Sequence, residues 1–568
     1  MIRINLKDKN IHGDQPKATI MKDEYKILIY GKLPILFGNQ RFNKDIVIQY
    51  FSNDLNSIMP YMCGVGLCIL LKNEKVTEIA VDYYAHSRYY YTKNNSSLFI
   101  CENWKELPIK SSEFNIFQLL YFLNWNSCLD GETYFKEIKY FSPTYKYCVD
   151  NDSIEKSYMS FMDMGTSNLY TSIQDTMKIL DSDENIGIML SGGSDSCQIA
   201  MAAKNMNKTP VFLCGQIKDI EMYDNICDQV GAACLSKEMN LDFELVPIQI
   251  KEFLQGWKKG GKDYLTDSVA FSYKDGRLWQ GIASYASNKG IDLIINGQNA
   301  DALYNYSYTS DSEMDKMMRT ITTDSILEKI FSGSVSDSIK NIWYKYNDCD
   351  FSIQRFLGWV IIKGNGYKKY NGIIVDNAVK NNIKDFYDEE LIKRMDNLIS
   401  LYLHNKIKTP RGVLLEGKLV GYVDGEDTRC ISGACEVYGI NSLQIYSSPL
   451  VFDALLKLEL NNKDINDYKR ITYETCDKNP AFLKTKEIKS KVDNSKTYSA
   501  SKVWEIVYNI LNEEFDFDGN TIRILSVFDE LNIFDINKLK DIMKNDIGVM
   551  MRVSWIGLIY NIINENLK

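Results

Sequence analysis

"IGIMLSGGSDSCQIA" spans Ile186 to Ala200, and its reading organises the rest of the chain. An apolar run of strand character leads into Ser191-Gly192-Gly193-Ser194-Asp195-Ser196, and the chain leaves through an alanine-rich segment of helical character. In a parallel sheet the C-terminal end of a strand opens onto a helix N-terminus, whose free N–H groups and partial positive charge favour an anion. Gly192 and Gly193 lack a Cβ, so the backbone there turns sharply and can press its N–H groups against phosphate oxygens. Ser191, Ser194 and Ser196 offer hydroxyl donors, and Leu190 leads into the same cradle. Asp195 would repel phosphates unless it holds a divalent metal that itself bridges them. The plain alternative is a serine-glycine turn with an N-capping Asp. The full element directly after a buried strand favours the nucleotide reading.

A Walker-type loop is absent, and "KKGGKD" (Lys258 to Asp263) reads as a solvated turn. A metal on Asp195 alone would be loosely held, so a second carboxylate is expected near the same sheet edge. "IDLIINGQNADALY" (Ile291 to Tyr304) supplies one: Asp301 follows a buried strand and the turn at Gly297. Standing alone, Asp301 would read as a helix N-cap.

From about residue 168 strands and helices alternate. The helix "LYTSIQDTMKIL" precedes "NIGIMLSG"; then come the strand "PVFLCGQI", a helix over "MYDNICDQVGAACLSKEM", and the strand "FELVPIQI". The helix "LWQGIASYASNKG" leads to "IDLIINGQNAD". This alternation predicts an α/β doubly wound parallel sheet. Residues from about 310 to 568 read as mostly helical. Residues 1–155 instead hold short aromatic or apolar runs, among them "YKILIYGKL", "GVGLCILLKN", "VTEIAVDYY" and "YKYCVDND", with one helix over Asn115 to Trp125. They predict a separate antiparallel α+β domain. Periodicity fades around "VDNDSIEKSYMSFMDMGTSN", which marks the boundary between domains 1–155 and 168–568.

At 568 residues the chain is too long for one core. Its 66 basic and 75 acidic residues give a formal net charge of −9, which argues against an extended nucleic-acid footprint. Thirteen scattered cysteines without a Cys-x-x-Cys pair argue against zinc or iron–sulfur centres and for a reducing compartment. "MIRINLKDKN" is no signal peptide, and apolar runs such as "YMCGVGLCILL" are too short to cross a bilayer, so a cytoplasmic protein with no membrane partner is expected. The three histidines, His12, His86 and His404, sit in no motif.

These residues carry a family resemblance. "SGGSDS" resembles the pyrophosphate loop of ATP pyrophosphatases, and "NGQNADALY" is similar to the Ser-Gly-Glu-Gly-Ala-Asp-Glu segment of asparagine synthetases. "CEVYGINSLQIYSSPLVFDALLKL" (Cys435 to Leu458) resembles their substrate-site segment. "DGETYFKEIKYFSPTYKY" (Asp130 to Tyr147) and "VDYYAHSRYYY" resemble the glutaminase domain of the same family, an N-terminal-nucleophile (Ntn) sandwich. The resemblance implies ATP and Mg²⁺ as cofactors, with Asp195 and Asp301 on the metal. It implies an ATP-dependent ligase that adenylates a carboxylate, releases pyrophosphate, and passes the acyl group to an amine with loss of AMP. A late lysine then stabilises the charge on the acyl oxygen; in "NPAFLKTKEIKSK" Lys486 is the first candidate and Lys489 the second.

Three departures from the family pattern matter. Residue 2 is Ile2 where the glutaminases expose a cysteine, and the nearest cysteine in sequence is Cys63, so a degenerate glutaminase-like domain without glutamine hydrolysis is expected. Gln298 stands where asparagine-forming members carry Glu and β-lactam-forming relatives carry Tyr; it can orient a substrate but cannot take its proton. That task would pass to Glu436 or to the adenylate's own phosphate. Ala302 replaces the family's glutamate after Asp301. With no ammonia source, the nitrogen is expected to arrive as an amine on the substrate itself. β-Lactam synthetases and lasso-peptide macrolactam cyclases, which resemble this layout, use that route. The substrate would be a small molecule or peptide bearing both carboxylate and amine. A peptide cyclase would need a protease and a leader-binding partner. An intermolecular ligase using ammonia or a small amine, and a non-catalytic nucleotide-binding scaffold, are the rival readings.

Overall fold

The computed structural model describes residues 1–125, 128, 131–150, 152–166, 168–181, 185–204, 206–218, 226–249, 276–300, 372–387, 389–390, 393, 428–457, 470–492 and 500–568. Within the first part, one antiparallel sheet combines β1 (Ile2–Asn5) and β2 (Ile11–Gly13) with three later strands. A second begins with β3 (Ala18–Lys22) and β4 (Tyr25–Tyr30), and a small third sheet joins β5 (Leu36–Phe37), β6 (Gln40–Arg41) and β7 (Met62–Cys63). The chain continues through β8 (Leu67–Lys72), β9 (Lys75–Val81), β10 (Tyr90–Asn94), β11 (Ser97–Cys101), β12 (Lys139–Tyr140), β13 (Tyr145–Asp150) and β14 (Ser153–Tyr158). The large sheets run β12-β10-β11-β1-β2 and β14-β13-β9-β8-β4-β3. Helices α1 (Lys44–Tyr50) and α2 (Ile116–Trp125) complete this part.

The two large sheets stack face to face. Ile2, Ile4, Leu98 and Ile100 from one meet Leu67, Ile69, Ile79 and Val81 from the other in a single buried cluster. The uninterrupted apolar run of β8 follows from its position: Leu67, Ile69 and Leu71 face the partner sheet, while Cys68 and Leu70 face a second core on the opposite side. The expected antiparallel α+β sandwich is therefore present. The stretch of fading periodicity contains β14, which pairs along the whole of β13.

The second part opens with α3 (Leu169–Leu180), capped by Asn168, whose side chain accepts from Thr171 N at 3.0 Å. There follow β15 (Ile186–Met189), α4 (Ser194–Ala203), β16 (Val211–Ile217), α5 (Ile226–Met239), β17 (Phe243–Ile248), α6 (Gly276–Asn288) and β18 (Leu293–Asn296). Helices α7 (Gly372–Asn377) and α8 (Thr428–Val437) precede β19 (Asn441–Gln444). The strands form one sheet ordered β17-β16-β15-β18-β19, and every pairing is parallel. Pro247 is accommodated because β17 is an edge strand. Ile188, Phe212 and Ile295 pack on one face with α3, α4 and α5; Leu213, Val246 and Ile294 pack on the other with α6 and α8. Strand order reverses between β15 and β18, and the C-terminal ends of these two strands are where ligands of such open sheets bind.

Beyond the sheet, helices dominate: α9 (Pro449–Lys457), α10 (Arg470–Cys476), α11 (Pro480–Ser490), α12 (Ala500–Phe515), α13 (Phe517–Glu530), α14 (Ile536–Asn545) and α15 (Ile547–Leu567). β19 is the exception to the helical expectation. Helix α15 is long and apolar enough to cross a membrane, but it buries Val553, Trp555, Ile556 and Ile559 against other helices as a core element. The two parts share cores. Tyr84 and Phe161 meet Phe452 edge-on at 5.8 and 5.3 Å, and α2 packs into the helical cluster around Trp555.

Candidate functional site

The loop between β15 and α4 is folded by its own hydroxyls. Ser196 Oγ accepts from Ser191 N at 3.2 Å and donates to Gly193 O at 3.2 Å, and Ser191 Oγ accepts from Gly193 N at 3.3 Å. These two serines thus shape the turn, more than the donor role expected from sequence. Gly192 has φ +67°, and a Cβ there would lie 2.4 Å from the Gly231 carbonyl carbon of α5. Only glycine meets both conditions. Gly193 is the N-cap of α4 and, as glycine, brings no side chain to cap its first turn. Asp195 lies in that turn, half-buried, and its Oδ1 accepts from Ser194 Oγ at 3.3 Å.

The loop after β18 comes down on the same turn. A Cβ on Gly297 would sit 3.5 Å from Asp195 Cβ and from Ser196 N. Gln298 is half-buried, and its N–H donates to Asn296 Oδ1 at 3.0 Å. Asn299 adopts φ +70° and donates from Nδ2 to Thr428 Oγ1 at 2.6 Å and to Ser447 Oγ at 2.8 Å. Asp301 and Ala302 lie outside the described residues. Among the described residues no three His, Cys, Asp or Glu side chains converge on a metal position. Asp195 brings a hard oxygen donor to the first turn of α4, which is the donor type Mg²⁺ takes.

Three side chains from the helical region hold this loop, and none was singled out by sequence for that role. Lys489 Nζ, on α11, donates to Ser191 O at 3.0 Å and to Asp228 of α5 at 2.9 Å. Tyr446 is buried and donates to Asp195 O and Gln198 Oε1, both at 3.1 Å. Cys476 Sγ donates to Ser194 O at 3.3 Å, and its thiol is held well above the ordinary range by a hydrogen bond with Cys197 and then by burial.

The two candidate lysines part company. Lys489 reaches the loop, whereas Lys486 lies over the Tyr473 ring at 4.5 Å and 3.8 Å from Asp477, half-exposed. Glu436 is not brought to the loop. It stands in the last turn of α8, which begins beside Asn299 and runs back to the other sheet edge, and it pairs there with Lys32 at 2.7 Å. The general-base role expected for Glu436 therefore has no support in its position, since its carboxylate stands at the opposite sheet edge from the loop.

In the first part, Ile2 is buried in β1 opposite Ile100 and Gly13. Cys63 lies 3.8 Å from His86 Nδ1, and the same nitrogen faces Asp82 at 3.2 Å. A nucleophilic triad needs the two ring nitrogens to serve different partners. Burial, reinforced by Asp82, also holds the Cys63 thiol well above its ordinary range.

The asparagine synthase family model matches residues 168–336, which begin just before α3 and include the loop and β18. This segment is asparagine synthetase-like. The asparagine synthase segment contains Ser191 to Ser196, Gly297 and Gln298, while Tyr446, Cys476 and Lys489 come from beyond it. No curated protein matches the chain. Among solved structures, the chain is similar to the NH3-dependent NAD synthetase from Campylobacter jejuni subsp. jejuni NCTC 11168 in complex with the nitrate ion, at 17% identity over 35% of this chain and 96% of that one, TM-score 0.18. It is also similar to the glutamine-dependent NAD+ synthetase from Acinetobacter baumannii in complex with ADP, at 13% identity over 58% and 77%, TM-score 0.18. At those TM-scores neither likeness bears on fold or chemistry here.

Proposed function

We propose that the chain is an ATP-dependent amide-forming ligase of the adenylating type. The observation that carries this reading is the open N-terminus of α4, preceded by Gly192 in a left-handed turn and carrying Asp195, at the switch point of the asparagine synthase segment. A substrate carboxylate oxygen attacks the α-phosphorus of ATP, the bond to pyrophosphate breaks, and an acyl-adenylate forms. An amine nitrogen then attacks the acyl carbon, the carbon–oxygen bond to AMP breaks, and the amine proton leaves to the departing phosphate or solvent.

The loop N–H groups would take the pyrophosphate. Mg²⁺, held by Asp195 and Asp301, would offset the charge that develops on it. Lys489 is the better-placed cation, since its Nζ already touches the loop backbone. Gln298 would orient the substrate. The sandwich would serve as a degenerate glutaminase-like packing partner, because Cys63 is buried with its thiol held protonated. The amine would then belong to the substrate itself, a peptide or small molecule closing into a lactam or macrolactam in the cytoplasm. For a peptide substrate, protease and leader-binding partners would be required.

The test is release of AMP and pyrophosphate from Mg-ATP by purified protein given fractionated small molecules and peptides, with glutamine and ammonia in parallel. Both products should appear with one fraction and vanish with Asp195→Ala. Product mass then separates cyclisation, which loses water, from joining of a separate amine. Mg-ATP binding without turnover on any fraction would defeat the ligase reading.

A further inference from the structure

The face of the parallel sheet that packs on α6 and α8 is apolar over most of its area, with Leu213, Val246, Ile294, Ile282, Ile431 and Cys435 in contact. At the C-terminal ends of β18 and β19 it changes character. Ile295 and Leu443 are register partners and join the core on the α4 face, so the next pair, Asn296 and Gln444, points to the α8 side. Asn296 is 1% and Gln444 0% exposed. Among the described residues, Asn296 Nδ2, Gln444 Nε2 and Gln444 Oε1 have no hydrogen-bond partner, nor do Ser442 Oγ, two residues back on the same face, and Asn299 Oδ1 in the following loop. Buried polar atoms left in this way are costly, and native proteins satisfy them with water or a ligand. Here they gather at strand ends bordering the switch point, where ligands of such sheets bind.

We infer that Asn296 and Gln444 form a subsite for an uncharged amide group of the substrate. A carboxamide with both its donor and its acceptor unengaged is complemented by another amide, whose C=O takes the Nε2–H while its N–H donates to Oε1. None of Asn296, Asn299, Ser442 or Gln444 ionises, so a carboxylate or ammonium entering there would lose its hydration without gaining a counter-charge. The subsite therefore favours a peptide-like substrate over a zwitterionic amino acid. It rests on the ligase reading for the word substrate, and on the unpaired atoms alone for binding.

The experiment is saturation-transfer NMR on the full chain with Mg-ATP, using N-acetylglycinamide against its charged counterparts N-acetylglycine and glycinamide. Transfer to the neutral probe should exceed that to either charged probe by about fivefold or more, the scale of one buried hydrogen bond. Gln444→Leu should abolish it, and Gln444→Glu should turn the preference to glycinamide. Mg-ATP binding, retained in each variant, reports folding; should Gln444→Leu lose it, Gln444→Glu decides. Equal transfer to all three probes, or a signal indifferent to the Gln444 substitutions, would mean that buried water alone satisfies these atoms, and would overturn the subsite. AMP release followed in parallel separates the two ideas. Selective binding without AMP release on any substrate leaves the subsite and removes the ligase; AMP release without selectivity does the reverse.

Discussion

Gly192 and Lys489 show how single residues govern the loop between β15 and α4. A methyl group at Gly192 would combine left-handed backbone strain with contacts of 2.4–2.7 Å to Gly231 backbone atoms, which cannot swing aside. Gly192→Ala should therefore destabilise by about 2–4 kcal/mol and abolish Mg-ATP binding, read by thermal denaturation and nucleotide titration. Gly231→Ala meets the flexible Lys489 side chain at 2.7 Å and Ser191 O at 3.0 Å, and should be milder on both readouts. For the lysines, loss of a cation acting on transition-state charge costs about 3–4 kcal/mol, so Lys489→Ala should slow AMP formation by roughly 100-fold or more. Lys486, with its charge over Tyr473, should tolerate alanine with less than about a threefold change in rate. The opposite order would return the role to Lys486.

At the scale of elements, α4 is the working part, and its first turn is fixed by segments that arrive much later in the chain. Tyr446 follows β19 directly, Cys476 ends α10, and Lys489 sits in α11. Tyr446→Phe keeps the ring and removes one hydroxyl that serves Asp195 O and Gln198 Oε1. It should cost about 1 kcal/mol in urea denaturation and weaken Mg-ATP binding about fivefold or less, since helix α4 keeps its other contacts. An unchanged affinity would show that the turn is rigid without this tie. The strands of the sandwich were legible for a simple reason: runs such as "LCILL" are apolar because β8 is covered on both faces. β14, "SIEKSY", carries little apolar signal because it is an edge strand whose side chains are largely exposed. Pairing with β13, not its own composition, makes it a strand.

At the scale of the molecule, the sandwich and the sheet domain are joined by a common core, which bears on activity and on pH. Incubation with glutamine should release no glutamate, and Cys63→Ser should leave that result unchanged; glutamate release lost in the variant would make Cys63 a nucleophile after all. Burial pushes the Cys435 thiol from 9.0 up to about 12 and, with help from Asp518, the Tyr508 phenol from 10.0 up to about 12. The folded chain thus holds these protons more tightly than the unfolded one. Their contribution is complete below about pH 9 and is lost as pH rises toward about 12. Urea midpoints measured from pH 8 to pH 11 should fall progressively above about pH 9, and a flat profile would contradict the burial of these groups.

The sequence alone determined the strand–loop–helix from Ile186 to Ala203, because buried strand, glycine turn and helix start are local properties written in consecutive residues. It also determined the alternation of strand and helix that makes the sheet parallel, and the short apolar runs that form the strands of the sandwich. It could not determine β19, whose "NSLQ" has no strand propensity and is extended only because β18 offers it an edge. Nor could it choose between Lys486 and Lys489, three positions apart on one helix, since the packing of α11 on α5 decides which one reaches Ser191 O. Glu436, Tyr446 and Gln444 lie within one short segment, yet only the tertiary structure sends the first to the far edge and the other two to the C-terminal end of the sheet. Local propensity acts over a few residues; the contacts that complete the site join positions 251 to 298 residues apart. Only the folded sheet brings those together.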